Sequence, residues 1–410
     1  MASLVPFRWP NAWRDPSALD LLKGSAINCL LTPRGDEFGP IVARARQEGL
    51  QVADAASPPT GVIIISGLWP GVKLSESGTV DQAAAGPTGE PWVDSNGWKI
   101  RLTAALHPGA AVWVDAPPKG SRLTAESYQI TVADAAAHGG RWILSLDDQL
   151  AQDVVGQKPE ALQAWKLLIG AAGFFSARQA WSGYIPEATV GIISDFSGRN
   201  EFLSNEILNL VARTNQQYRI IPKDKVSESS LSGLRAVLYT DADPPAPDVQ
   251  KRILTFVQAG GLLIVGPRWG ELPGAAATGE DHPRYALRVL GKGRVALSKA
   301  ELEDPYLVAN DSVILVSHRY ELVRLWNPGA VSCCLTLAPD RKRSVVHMVF
   351  YASARVADGP TVRVVGQYRM ARLWTLDQPT PRDVEMVKQK DAVELHLPIV
   401  SLYAGIELET

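Results

Sequence analysis

The sequence predicts an α/β chain in three parts. A shortened or incomplete (β/α) barrel spans 1–185, a flavodoxin-like, doubly wound unit spans 186–328, and a small antiparallel β-sandwich spans 329–410. Three observations predict this. Short apolar runs alternate with helix-patterned segments in the first part, the pattern of a mainly parallel sheet. A second alternation, with a helix stopped by Gly260-Gly261, fills the middle part. The last part switches to alternation with period two in short runs.

The first part opens with DPSALDLLKG, where Asp15 is the N-cap, Pro16 takes the first helical position and Gly24 closes the turn. SAINCLLT (25–32) is a strand, EFGPIVARARQEG a helix ending at Gly49, and LQVADA (50–55) and GVIIIS (61–66) are strands. After a Gly-, Pro- and Ser-rich stretch, PWVD (91–94) reads as a short strand. SNGWKIRLTAALHPG reads as a helix capped by Ser95 or Asn96, and AVWVDA as a strand. A helix capped by Thr124 and ended by Gly139 follows, then the strand RWILSL and a long helix through KPEALQAWKLLIGAAGFFSARQAW. The strands end in Asp54, Ser66, Asp94, Asp115 and the pair Asp147-Asp148.

The middle part carries the strands ATVGIISD, YRIIPK, LRAVLYTD, GLLIVGP and GKGRVALS, with helices between. The last part carries AVSCCLTL, SVVHMVFYA, TVRVVGQY, ARLWTL, AVELHLP and AGIELE, six expected strands.

Composition excludes several classes. The formal net charge is −2, which gives no basic footprint for nucleic acid. No apolar run reaches the length of a membrane span. The thiols Cys29, Cys333 and Cys334 neither pair fully nor show metal spacing, and read as buried side chains. No GxGxxG opens a helix, and there is no GxxxxGK[ST], HExxH or GxSxG, so no cofactor or metal is expected. ISDFSGRNEF places Ser197-Gly198 at a helix start able to hold an anion. MASLVPFRWPNAWRDP has no apolar signal region, so a secreted or periplasmic address is expected only if a signal has been removed.

Tryptophan is unevenly placed: nine of 12 lie in the first 185 residues, where flat rings could serve as sugar platforms or as core. Two triplets recur, Trp92-Val93-Asp94 and Trp113-Val114-Asp115, both expected at strand ends of one sheet. Adjacent parallel strands lie about 4.8 Å apart, close to the carboxylate spacing of a retaining glycosidase. Asp115, Asp94 and Asp148 are therefore the candidate catalytic acids. Trp92, Trp113, Trp69, Trp98, Asp54, Glu90 and Asp147 are candidate substrate contacts. Arg101, Tyr128, His107 and His138 are further polar candidates. The competing reading is structural, because Asp before a helix is a good cap and a His at a helix end suits the dipole.

The three-part order resembles family 42 β-galactosidases and related glycoside hydrolases. LRAVLYTDADPPAPDVQKRILTFVQAGGLLIVGP is similar to their class I glutamine amidotransferase-like middle domain. SVVHMVFYA, TVRVVGQYRMARLWTLDQ and VELHLPIVSLYAGIELE resemble their C-terminal β domain. The resemblance implies a carbohydrate partner and a homo-oligomer formed through the middle domain. It departs at the chemistry. The family acid lies in an Asn-Glu motif after a barrel strand, whereas Asn200-Glu201 and Asn205-Glu206 lie in the middle part's first helix. No family glutamate carries over. Nor does an amidotransferase cysteine, since GLLIVGP leads to Arg268-Trp269-Gly270. Two functions stand: a glycoside hydrolase using paired strand-end carboxylates, or a non-catalytic carbohydrate-binding or scaffold protein with a degenerate barrel.

Overall fold

The structure, a computed structural model, describes residues 4–54, 57–74, 84–89, 91–118, 123–352 and 359–410. In the N-terminal unit the strands are β1 (Pro6–Arg8), β2 (Cys29–Leu31), β3 (Gln51–Ala53), β4 (Val62–Ser66), β5 (Gly71–Val72), β6 (Val93–Asp94), β7 (Ala111–Asp115) and β8 (Arg141–Trp142). The helices are α1 (Gly39–Gln47), α2 (Gly97–Leu106), α3 (Ala125–Ala137), α4 (Asp148–Val155) and α5 (Pro159–Ala177). DPSALDLLKG forms a 3-10 helix over Pro16–Leu22, with Asp15 accepting from the Ser17 N–H.

Two parallel sheets, β1-β2-β3 and β4-β7-β8, meet through Phe7 and Leu144. There the Arg8 N–H donates to the Leu144 carbonyl at 2.7 Å, and the Leu144 N–H donates to the Pro6 carbonyl at 3.0 Å. The strand order is thus β3-β2-β1-β8-β7-β4. The first strand lies beside the last, while β3 and β4 do not pair among the described residues. Alternation gives the sheet two apolar faces, as parallel sheets require. Cys29, Leu31, Trp113 and Ile143 share one face with Ala53, Val62 and Ile64. Phe7, Leu30, Val112, Val114, Trp142 and Leu144 pack on the other under the helices.

PWVD does not join this sheet, contrary to the expectation from sequence. β6 pairs antiparallel with β5. The reason lies in its flanks: the Asn96 amide bonds both the N–H and the carbonyl of Leu68, at 2.9 and 3.0 Å, docking this segment on the loop after β4.

The middle unit holds β9 (Ile185–Pro186), β10 (Val190–Ser194), α6 (Glu201–Arg213), β11 (Tyr218–Pro222), α7 (Glu228–Leu231), β12 (Ala236–Tyr239), α8 (Pro247–Gln258), β13 (Leu262–Val265), β14 (Ala276–Asp281), β15 (Tyr285–Leu290), β16 (Gly293–Ser298) and α9 (Pro305–Val316). Its sheet runs β11-β10-β12-β13-β16-β15-β14, parallel through β16 and antiparallel beyond. The order reverses at β10, which has β11 on one side and β12 on the other.

The last unit comprises β17 (Val323–Trp326), β18 (Val331–Leu337), β19 (Arg343–Phe350), β20 (Thr361–Val365), β21 (Met370–Thr375), β22 (Arg382–Asp383), β23 (Met386–Lys388), β24 (Ala392–His396) and β25 (Tyr403–Glu409). They form antiparallel sheets β17-β20-β24-β23 and β22-β21-β25-β19-β18, the second extended by β9. An apolar core including Val346, Val362, Leu395 and Ile406 lies between them. Among the described residues no helix is long and apolar enough to cross a membrane.

Candidate functional site

The C-terminal ends of the N-terminal parallel strands carry Arg8, Asp54, Ser66, Asp115 and, just past β8, Ser145. Along β7, Asp115 shares the side of Trp113 rather than that of Val114. Trp113, 1% exposed, packs with Cys29, Leu31 and Ile143 on the face of the sheet that Asp115 shares. Trp113 is therefore a buried side chain of the sheet's core.

Above Trp113, Asp115 Oδ1 accepts from Arg8 at 2.6 Å, both side chains roughly a quarter exposed. Among the described residues, Arg8 keeps a buried Nε without a partner, and Ser145 a buried hydroxyl without one. Asp54 pairs with Arg34 at 2.7 Å. Asp147 is buried. Its Oδ1 caps α4 by accepting from the Leu150 N–H at 2.8 Å, and its Oδ2 accepts from the Tyr128 hydroxyl at 2.8 Å. Burial pushes the Tyr128 phenol up. Asp148 is exposed in the first turn of α4.

Asp94 lies apart from this strand end, on the ribbon facing the middle unit. It accepts from Trp92 Nε1 at 3.1 Å and from Arg213 of α6 at 3.3 Å. Neighbouring parallel strands therefore do not hold Asp94 and Asp115 together. The Arg213 guanidinium also sits 4.0 Å from the Trp92 ring centroid. Burial pulls Arg213 below its ordinary pKa, against the opposing pull of Asp94. Trp92 and Trp98 both pack on the middle unit's core, away from the strand ends. Trp69 stays near them: its Nε1 donates to the Ala116 carbonyl at 3.0 Å, and its ring meets Tyr128 and Trp142 edge to face. Glu90 lies outside the described residues. His107 is exposed at the end of α2.

Sequence reasoning missed Arg8, because its partner is distant in the chain, and Asp134, because an acid amid ADAAAH reads as helix surface. Asp134 is fully buried. Its carboxylate accepts from Ser95 Oγ at 2.6 Å, Tyr351 OH at 2.7 Å, and the Asn96 N–H and Nδ2, both at 3.0 Å.

In the middle unit, the point where strand order reverses is a common ligand site. Here the protein's own charges fill it. Lys223 Nζ lies 3.0 Å from Asp195 and 2.5 Å from the buried Asp241. The Asp195 carboxylate accepts from the Ser197 N–H at 3.1 Å and from Asn200 Nδ2 at 3.0 Å. The anion expected at Ser197-Gly198 is thus the chain's own side chain.

No protein-family model and no curated protein matches the chain. Solved structures do. α-L-Fucosidase isoenzyme 2 from Paenibacillus thiaminolyticus matches 98% of this chain and 83% of its own, at 12% identity and a TM-score of 0.53. A rhamnosidase from Novosphingobium sp. PP1Y matches 91% of this chain and 38% of its own, at 11% identity and a TM-score of 0.52. A family 42 β-galactosidase from G. stearothermophilus matches 91% of this chain and 66% of its own, at 11% identity and a TM-score of 0.46. The likeness is to a multidomain glycoside-hydrolase fold, not to family 42 in particular.

Proposed function

We propose that this chain is a non-catalytic carbohydrate-binding or assembly protein built on a glycoside-hydrolase framework. The N-terminal unit is read as a six-stranded (β/α) barrel, closed between β1 and β8 and open between β3 and β4. The middle unit is read as flavodoxin-like, of the amidotransferase-like kind, and the last as a β-sandwich. Self-association through the middle unit belongs to the same proposal.

The observation that carries it is the use made of the acids. Paired-carboxylate hydrolysis needs two carboxyl groups presented across one glycosidic bond. Here Asp115 is tied to Arg8, Asp54 to Arg34, and Asp147 to the start of α4 and to Tyr128. Asp94 faces another unit through Arg213. Each of these acids has at least one oxygen bonded to the protein's own donors.

A hydrolase is the second reading, favoured by Asp115 on the inward side of β7 and by the exposed Asp148 after β8. Carbohydrate binding is tested by thermal shift of the full chain against a panel of mono- and oligosaccharides. A saturable upward shift with one sugar class supports the proposal. Silence across the panel removes the carbohydrate part and leaves assembly alone.

A further inference from the structure

The opposite end of the N-terminal parallel sheet holds a cavity of about 770 Å³, within the range of small-molecule sites. It is bounded by the first residues of β4, β7 and β8, by α2, by the chain entering β9, and by β11 and β18. All three units contribute to it.

Its charge is one-sided. Arg101, Arg141 and Arg219 line it, and no Asp or Glu does among the described residues. A guanidinium stays charged at any ordinary pH and presents five N–H donors. Arg101 is fixed by stacking on Tyr218, 3.9 Å from the ring centroid, and by one bond to the Tyr218 carbonyl. Arg219 is fixed through one terminal nitrogen, which donates to the carbonyls of Ser230 and Ser232 at 2.9 and 3.2 Å. Arg219 thereby keeps Nε and its other terminal nitrogen without a bond among the described residues. Trp181 and Tyr184 supply an aromatic wall. Fixed cations beside flat rings, with no acid between them, are the chemistry that holds an oxyanion carried on a ring.

We propose that this cavity binds a sugar acid, a carbohydrate ring bearing a carboxylate or a sulfate. The oxyanion is held by Arg101 and Arg219, and the ring lies against Trp181 and Tyr184. The oxyanion half stands on the cavity alone; the sugar half rests on the carbohydrate reading above.

The test is calorimetric titration of the full chain with D-glucuronate, glucose 6-sulfate, D-glucose and acetate at low salt. At least one of the two acidic sugars should bind tenfold or more tightly than glucose and than acetate. The tighter of the two identifies the anion. Arg219→Gln should weaken that binding at least tenfold, and Ala105→Phe, which fills the wall from α2, should abolish it. Should Arg219→Gln fail to fold, Ala105→Phe and loss of wild-type affinity on adding salt carry the test. Equal binding of glucose and glucuronate overturns the proposal. So does acetate binding as well as glucuronate. Acidic-sugar binding that survives Ala105→Phe overturns it too, while leaving the carbohydrate reading intact.

Discussion

Replacing Asp134 with alanine tests whether buried carboxylates in this protein serve the fold. Asp134 has no solvent exposure and accepts four hydrogen bonds, from Ser95, Tyr351 and twice from Asn96. These donors sit after β6 and after β19, so one side chain on α3 ties the N-terminal ribbon to the last unit. Hydrogen bonds to a charged group contribute about 1.5–3 kcal/mol each. Four would sum to about 6–12 kcal/mol, more than single substitutions cost, because the orphaned donors relax and the charge's own desolvation penalty disappears. Breaking a buried charged network costs about 3–5 kcal/mol. The expected loss for Asp134→Ala is therefore about 4 kcal/mol. In a cooperative unit of about 200 residues that lowers Tm by about 8–16 °C. The assay is urea unfolding of the full chain, following the first transition. Tyr351→Phe alone should cost about 1–2 kcal/mol. The double variant should cost less than the sum of the two by about 1 kcal/mol, because both remove the same bond. A loss under about 1 kcal/mol for Asp134→Ala, or strict additivity with Tyr351→Phe, would refute the reasoning.

Three further perturbations follow from the same physics. Trp113→Ala leaves a hole on one apolar face of the parallel sheet and should cost about 3–5 kcal/mol in urea, against under about 1 kcal/mol if that face were solvent-filled. Lys223→Met leaves Asp195 and the buried Asp241 facing each other and should cost about 3–5 kcal/mol. Adding Asp241→Asn should recover part of that, and no recovery would count against the pairing. His347 is buried against Tyr403, Thr336 and Trp181, and burial pulls its pKa down to about 3. It is neutral in the fold and takes up a proton on unfolding once pH drops below its ordinary value near 6.5. The contribution of His347 is thus full above that pH and falls by about 1.4 kcal/mol per unit below it. His347→Gln should flatten the fall between pH 6.5 and 5, and an unchanged slope would assign it to other groups.

Much of the fold was legible because it is written in local patterns. Thr124 caps its helix, accepting from the Ser127 N–H. The apolar runs of the middle part became parallel strands β10 to β13. The alternating runs of the last part became its antiparallel sheets. The β14–β15 hairpin was not seen, because AATGED shows no apolar alternation. The two WVD triplets misled because three letters do not fix a strand's partners: one sits mid-sheet, the other on an antiparallel ribbon held by Asn96. The candidate site was less legible. Arg8 meets Asp115 across 107 residues of chain. The cavity at the far end gathers Arg101, Arg141 and Arg219 from α2, β8 and β11. Only the closing of the sheet and the docking of three units bring them together, and neither leaves a local signature.

The central claim is that the strand-end carboxylates hold the fold rather than cleave a glycoside. It is tested most directly by measuring turnover of an aryl glycoside panel, including fucosides, galactosides and rhamnosides, by the wild type and the Asp94→Asn, Asp115→Asn double variant. No turnover above buffer is expected in either protein, and a lower Tm is expected for the variant. Wild-type turnover that the variant loses while remaining folded would contradict it, and would make Asp94 or Asp115 a catalytic acid after all.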